Sequence, residues 1–410
     1  MSNDNSRHTL EPFKIAVSQA VLDDLARRLR ATRWAPDWNN EDELYGMSTA
    51  YLRPLAEYWA DGFDWRTVEA ELDIFAHYRV EIDRAPIHFL REPGRGPAPI
   101  PIILLHGWPW TFWDWSKVVR PLADPASFGG DPADAFDVVV VSLPGFGFST
   151  PLKQADLTFV GMADRFHTLM TEVLGYPKYA AAGSDYGALI SGQLGHKYAA
   201  HLYGIFLGHD LVLTLMQGER PWELPASMIP PGASPELRAS VVRFMRTYAS
   251  HRAVHQLEPQ TLALGLNDSP VGMLAWLLQR WKKWSDPKAD FEKVFPPDHI
   301  LTNATIYWVN QAFGSSVRIY QNTNRYPWTP SHDRTPLIEA PAGFNFLLGD
   351  TYPPGVKTPE ERIAFFENGP TRPWYNPVHV AAHEQGGHFG PWENPQSFID
   401  GIRTTFQGLR

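Results

Sequence analysis

Six short, largely apolar runs are the feature that most constrains how this chain can fold. They cover residues 100–105, 138–141, 179–182, 204–207, 344–348 and 378–381. Helix-like stretches lie between most of them, and this alternation is typical of a parallel sheet covered by helices on both faces. Functional residues of such sheets follow the carboxyl ends of the strands. The sequence therefore predicts an α/β protein whose site is built from the segments that follow these runs.

A long helical segment interrupts the alternation after the fourth run. It is rich in aromatic residues, among them Trp276, Trp281 and Trp284, which predicts an inserted cap that encloses a pocket with the core. Ahead of the first run, residues 13–35 and 51–65 have the pattern of helices and residues 80–89 that of a hairpin. We therefore expect an N-terminal wrapping segment at residues 1–95 and a core in two parts, at residues 96–214 and 336–410. The cap would lie between the two parts of the core, at residues 215–335.

The charge balance and the lack of cysteine exclude several classes of function. The 410 residues include 36 basic and 45 acidic side chains, a net charge of −9, which argues against nucleic acid or an anionic membrane as the main partner. Without cysteine there is no thiolate nucleophile and no cysteine-ligated metal. The first residues are polar and no apolar run could span a bilayer, so we expect a cytoplasmic protein without a membrane anchor.

The third apolar run leads into Gly183-Ser184-Asp185-Tyr186-Gly187. A nucleophile elbow is a sharp strand-to-helix turn that needs small residues two positions before and after the reactive residue. Only Asp185 has a glycine at both positions, so the candidate nucleophile is a carboxylate, which can attack an alkyl carbon and form an ester. The alternative is an ordinary turn in which Asp185 caps the following helix.

Two other segments could complete a hydrolytic site. The loop at Trp108 follows the first core strand, and a loop in this place donates one backbone N–H of an oxyanion hole. Tyr186, the residue after the nucleophile, would donate the other backbone N–H. His388 follows two glycines after the last run and is well placed as the base, with Asp350 as the acid that orients it. Two other residues could serve as the acid instead: Glu360 and Glu361. The His383-Glu384 pair resembles half of a zinc motif, but the spacing to His388 is wrong, and we expect no metal.

Together these residues resemble the α/β-hydrolase-fold epoxide hydrolases, and most closely the microsomal type and its bacterial relatives, which have an extra N-terminal domain. The resemblance covers nearly the whole chain. It is carried by Thr32-Arg33-Trp34, Phe63-Asp64-Trp65-Arg66, His106-Gly107-Trp108-Pro109, the cap segments 266–272 and 315–320, and Gly386-Gly387-His388-Phe389.

The resemblance implies a role for each candidate residue. Asp185 would be the nucleophile, His388 the water-activating base, Asp350 the orienting acid and Tyr320 a cap tyrosine that donates to the epoxide oxygen. The family has a second such tyrosine, and His251 stands at its place in this sequence. Tyr248, one helical turn away, is the other candidate for that position.

The predicted activity is hydrolysis of an apolar or aryl epoxide to a vicinal diol, in detoxification or secondary metabolism, with water and no cofactor. A homodimer is compatible with this interpretation. The alternatives are a haloalkane-type dehalogenase that uses the same nucleophile with Trp108 as halide donor, an ester or lactone hydrolase, and a non-catalytic binder of small molecules.

Overall fold

A computed structural model describes residues 8–217, 232–350 and 353–410, apart from the side chains of residues 248 and 249. Within them, nine strands form one sheet in the order β1-β2-β3-β5-β4-β6-β7-β8-β9. Pairing is antiparallel from β1 to β3 and between β3 and β5, and parallel across the rest. The strands are β1 Glu11–Phe13, β2 Ala76–Ile82, β3 Ala85–Glu92, β4 Ile100–Leu105, β5 Phe136–Val141, β6 Tyr179–Gly183, β7 Leu202–Leu207, β8 Ile338–Leu347 and β9 Tyr375–His383.

Helices cover both faces of the central strands, which explains why the runs that form those strands are apolar at successive positions. Side chains alternate between the faces of a strand, so Ile103 and Leu105 of β4 pack on one face while Ile102 and Leu104 pack on the other. On the first face lie α5 Phe159–Thr168 and α6 Tyr186–Lys197, and on the second lie α4 Ser116–Ala123 and α15 Pro395–Gln407. The predicted α/β-hydrolase architecture is confirmed.

The N-terminal segment differs from the prediction in its helix boundaries. The helix expected over 13–35 is shorter, α1 Gln19–Arg30, and residues 11–13 instead form β1. The apolar residues of 13–35 do not form one face of a single helix. Ile15 belongs to the core cluster on one side of the sheet, and Leu25 belongs to the cluster on the other side. The helix expected over 51–65 is two helices, α2 Thr49–Asp61 and α3 Trp65–Leu72, separated where the Asp64 side chain accepts a hydrogen bond from the Arg66 N–H and caps α3.

The predicted hairpin is present between β2 and β3. Its two turn residues, Asp83 and Arg84, both have positive φ angles, of 47° and 64°. A two-residue turn of this kind matches the right-handed twist of the paired strands. Through this hairpin the N-terminal segment contributes strands to the same sheet as the core, in addition to the helices that wrap around the core.

Residues 232–335 form six helices and contain no strand. These are α7 Pro235–Leu257, α8 Pro259–Leu266, α9 Pro270–Trp284, α10 Phe291–Val294, α11 Pro297–Val309 and α12 Ala312–Arg325. The sheet resumes with β8, and α13 Pro359–Glu367 and α14 Gly390–Glu393 flank β9. The boundaries expected near residues 95, 214 and 335 all fall between strands; the four-segment division itself stays a prediction. None of the described helices has both the length and the apolar character that crossing a membrane requires.

Candidate active site

Asp185 occupies a strained turn between β6 and α6. Its φ and ψ angles are 53° and −123°, a region that residues other than glycine rarely adopt. The turn is tight enough that a Cβ on Gly183 would lie 2.2 Å from the carbonyl oxygen of Gly187, and one on Gly187 would lie 2.1 Å from that of Leu105. Both glycines are therefore required for α6 to start where it does. The Asp185 carboxylate does not cap α6, so the alternative interpretation as an ordinary helix cap is wrong.

The Asp185 carboxylate is held by backbone donors on one side and faces a histidine on the other. The Trp108 N–H donates to Oδ1 at 2.9 Å, and Oδ2 lies 3.6 Å from His388 Nε2. Burial by itself raises the pKa of Asp185, but His388 and the N–H groups of Trp108 and Tyr186 together lower it below the ordinary value. The group is thus kept as an anion although it lies in a largely desolvated cleft.

His388 lies in the loop that follows β9, and this loop presses against the end of the cap helix α9. A Cβ on Gly387 would lie 2.5 Å from the backbone nitrogen of Asp286, and the His388 N–H donates to the Trp284 carbonyl oxygen at 2.9 Å. Burial lowers the pKa of His388, but Asp185 and Asp350 outweigh it and raise the pKa to about 10. The imidazole is therefore protonated at neutral pH.

Asp350 is the acid that reaches His388. It follows β8, and its Oδ2 lies 3.3 Å from His388 Nδ1. Burial opposes its ionisation, but His209 and His388 hold its pKa well below the ordinary value. The other two predicted acids, Glu360 and Glu361, are exposed in the first turn of α13, where Glu361 accepts a hydrogen bond from the Lys357 N–H. Their exposed position separates them from the buried site, and the first turn of a helix is itself a favourable place for acidic residues.

His209 joins the site although the sequence analysis did not single it out. Its Nε2 lies 2.7 Å from Asp350 Oδ2, and its Nδ1 accepts from the Asp185 N–H at 3.0 Å and lies 2.8 Å from the Ser184 hydroxyl. Because Nδ1 is an acceptor here, the proton is on Nε2 and is donated to Asp350. His209 closely follows the fourth apolar run, so the rule that found the other residues would have found it too.

Glu393 is a second residue that sequence reasoning missed. The carboxylate of this half-buried residue accepts hydrogen bonds from the N–H groups of Asp286, Gly387 and Phe389, at 2.8, 3.0 and 2.9 Å. Burial raises its pKa to about 7, against the opposing effect of these backbone donors. Glu393 thus fixes both sides of the His388 loop and ties the loop to the cap.

Cap and core enclose a cavity of about 480 Å³ above Asp185. Tyr320 on α12 and His251 on α7 both line it, as predicted from the resemblance, and the Trp108 ring stacks on the His251 ring with centroids 5.6 Å apart. Tyr248 was the other candidate for the second donor, and its side chain lies outside the described residues. The rest of the lining is largely apolar, with Leu189, Leu211, Val212, Leu215, Met216 and Phe244.

The two predicted donors differ in acidity. Burial raises the pKa of Tyr320 well above 10, so the phenol keeps its proton until an anion forms beside it. Burial lowers the pKa of His251 well below 6.5, and the neighbouring His255 and Arg280 lower it further. His251 is therefore a neutral imidazole, which is a weaker acid than a phenol.

Three ligand atoms lie close enough to bind a metal ion. His209, Asp350 and His388 offer nitrogen or oxygen atoms within 4.8 Å of one another. In the structure, however, both imidazoles direct a ring nitrogen at the one carboxylate oxygen, Asp350 Oδ2. His383, from the pattern that resembled half of a zinc motif, instead lies 2.7 Å from the side-chain oxygen of Asn345.

Comparison with known proteins agrees with this geometry. Residues 10–115 match the family model for the epoxide hydrolase N terminus, and residues 100–261 match that for the alpha/beta hydrolase fold. A protein of Stigmatella aurantiaca (strain DW4/3-1) that is assigned to the epoxide hydrolases is 34% identical over 403 residues, which is 98% of this chain and 86% of the relative. The chain belongs to the epoxide hydrolase family.

More distant family members match nearly the whole of this chain. Epoxide hydrolase 1 of Oryctolagus cuniculus is 27% identical over 95% of this chain and 86% of its own length. The structure of the Aspergillus niger epoxide hydrolase superposes with a TM-score of 0.78 at 26% identity, covering 98% of this chain and 97% of the other. The juvenile hormone epoxide hydrolase of Bombyx mori, at 22% identity and a TM-score of 0.76 over 98% and 94% of the two chains, has the same fold.

The first testable consequence concerns the proton on His388. Replacing Asp185 with Asn removes one of the two carboxylates that raise the His388 pKa, so we expect this pKa to fall from about 10 towards its ordinary value. Nitrogen-15 NMR titration of the imidazole measures the shift. The matched control is Glu360→Gln, which removes an exposed acid and should leave the His388 pKa unchanged. An unchanged value in Asp185→Asn would refute the proposed charge coupling.

Proposed function

We propose that this protein hydrolyses an epoxide to a vicinal diol through an ester of Asp185. The observation that carries the proposal is the position of a carboxylate, and not a hydroxyl, at the elbow. One of its oxygens accepts the Trp108 N–H and the other faces His388. A carboxylate in this position can open a strained ring by attacking carbon, and it leaves an ester whose carbonyl oxygen already lies in an oxyanion hole.

In the first step, Asp185 Oδ2 attacks an epoxide carbon and the carbon–oxygen bond of the ring breaks. Tyr320 donates its proton to the ring oxygen and becomes a phenolate. The proton on His388 can then pass to that phenolate, through water, which leaves His388 neutral. The high pKa of His388 in the resting site, about 10, does not prevent this transfer, because esterification has removed the Asp185 charge that helped to raise it.

In the second step, neutral His388 takes a proton from water, and the water oxygen attacks the ester carbonyl carbon. The Trp108 and Tyr186 N–H groups stabilise the negative charge on the carbonyl oxygen. The bond to the alkyl oxygen breaks, and the remaining proton of the attacking water passes to the departing diol. Asp185 is again an anion and His388 again carries a proton, so the site returns to its starting state.

The apolar lining of the cavity supports an apolar or aryl skeleton for the substrate. The dehalogenase alternative needs halide donors, and the one that the sequence suggested, Trp108, is buried and is not among the residues that line the cavity. No specific observation favours ester or lactone hydrolysis or a purely binding role. The cytoplasmic location, the homodimer and the metabolic setting stay predictions.

Intact-mass analysis of a His388→Ala variant tests the covalent mechanism. Without the base, the ester should accumulate, so exposure to a panel of epoxides should add the mass of a whole epoxide, mapped to Asp185. The double variant His388→Ala/Asp185→Asn should show no adduct. The same variant is also exposed to haloalkanes, where a mass gain equal to a haloalkane minus its hydrogen halide would support the dehalogenase alternative instead.

The assignment of the ring-opening donor predicts unequal effects of two substitutions. Tyr320→Phe should lower the rate of the first step by about 10²- to 10⁴-fold, since it removes the acid that protonates the alkoxide. His251→Phe should have a smaller effect, because a neutral imidazole is the weaker acid. Stopped-flow measurement of a single turnover separates the first step from the second. A larger loss in His251→Phe would reverse the assignment.

We infer that His209 is a positioning residue that acts through Asp350 and the Asp185 backbone. In His209→Leu, Asp350 loses a hydrogen-bond donor and its charge acts more strongly on His388, so the pKa that controls the second step should move upward. We expect that step to slow by about 10- to 100-fold at neutral pH. His209→Gln retains a donor that can reach Asp350 and should recover part of the rate. If the two variants have the same pH profile as the wild type, His209 has no such role.

A further inference from the structure

Arg252 is a cation in the active-site cavity whose charge has no carboxylate partner among the residues that the structure describes. It lies on α7, one position after His251, and lines the cavity above Asp185. Its one hydrogen bond to another described residue is from Nη2 to the Met216 sulfur, at 3.7 Å. Its Nε is buried without a hydrogen-bond partner in the same part of the chain. A thioether is a weak acceptor, so this guanidinium is poorly satisfied.

The other charged groups of the cavity wall are satisfied by one another. Asp185 and Asp350 share His388. Asp210 is paired with buried Arg362 at 2.5 Å and also accepts from the Thr371 hydroxyl at 2.6 Å. Burial disfavours the charged form of Arg252 and lowers its pKa, a cost that the nearby Asp185 charge offsets only in part. A ligand that supplied an anion would remove that cost.

Resting on the function proposed above, we propose that the substrate is an epoxide on an apolar skeleton that also carries a carboxylate, and that Arg252 binds this carboxylate. A planar guanidinium pairs with a carboxylate through two parallel hydrogen bonds. His388 is already shared by Asp185 and Asp350, so Arg252 alone is left to pair with a ligand, which suits a monoanion better than a dianionic phosphate. Asp185 repels the substrate's carboxylate, so the apolar skeleton would separate the reacting ring from the charged end.

The position of Arg252 also permits a different role, which the experiment must distinguish. The guanidinium charge acts on Tyr320 and lowers its pKa, against the larger effect of burial. Arg252 could therefore assist the proton transfer to the ring oxygen. In that case its loss would slow the reaction of every epoxide, charged or neutral, by a similar factor. A role in binding a carboxylate instead affects the acid and spares its neutral analogue.

The test compares straight-chain ω-epoxy carboxylates of several chain lengths with their methyl esters. For the wild type we expect a higher kcat/KM for the acid at the length that spans the cavity. In Arg252→Met, the acid-to-ester ratio of kcat/KM should fall by about 10- to 100-fold, the value of a hydrogen-bonded charge pair. Arg252→Lys keeps the charge but not the paired geometry, and should fall between the two.

Arg243→Met is the matched control, since Arg243 is exposed on the same helix and its loss should leave the ratio unchanged. A ratio that Arg252→Met does not alter, an equal loss on acid and ester, or a wild type without preference for the acid at any length would each overturn the proposal. Hydrolysis of the epoxide in the methyl esters tests the proposed function independently of the carboxylate site.

If the epoxide of no methyl ester is hydrolysed, that result counts against the proposed function, and a binding measurement then tests the carboxylate site by itself. Calorimetric titration with the epoxide-free alkanoate and its primary amide needs no turnover. The alkanoate should bind the wild type more tightly than the amide does, and Arg252→Met should weaken its binding by about 10- to 100-fold. Equal affinities for the alkanoate and the amide would refute the carboxylate site.

Discussion

The site depends on one proton that two desolvated carboxylates share through His388. Neither Asp185 nor Asp350 would stay ionised at low cost in this environment without a cation between them, and the imidazole would not hold a proton there without both anions. The coupling makes the charge state of each group depend on the others. In the proposed mechanism, formation of the ester removes the Asp185 charge, which lowers the pKa of His388 and allows it to act as a base.

Such coupling requires the three side chains to keep their distances, and the surrounding structure fixes them from different directions. Asp185 is held by the close approach of α6 to β4 at Gly187, His388 by the contact between its loop and the end of α9, and Asp350 by His209. Glu393 joins the second of these contacts, because its carboxylate binds N–H groups of both the loop and the cap. The cap thus covers the cavity and also positions His388.

Several parts of this arrangement could be predicted from local sequence. The central strands were recognisable because both of their faces are buried. The elbow was recognisable because only one residue of the motif has a glycine two positions before and two positions after it. The helix boundaries near the N terminus could not be predicted in the same way. Ile15 and Leu25 share a helical period, yet they pack on opposite faces of the sheet. The periodicity of the sequence shows which residues are apolar, but it does not show on which face of the sheet each of them is buried.

The sequence by itself determined the α/β architecture, the carboxylate at the elbow and the histidine near the end of the chain, because each depends on residues adjacent in sequence. Only the tertiary structure decided that Asp350 and not Glu360 or Glu361 contacts His388, and that His209, 141 residues away from Asp350, completes the network. It also decided that Arg252 faces the same cavity as Asp185. The position of His209 after the fourth run is visible in the sequence, but which of these side chains contact one another depends on where separate elements end against one another, and the packing of the whole core sets that.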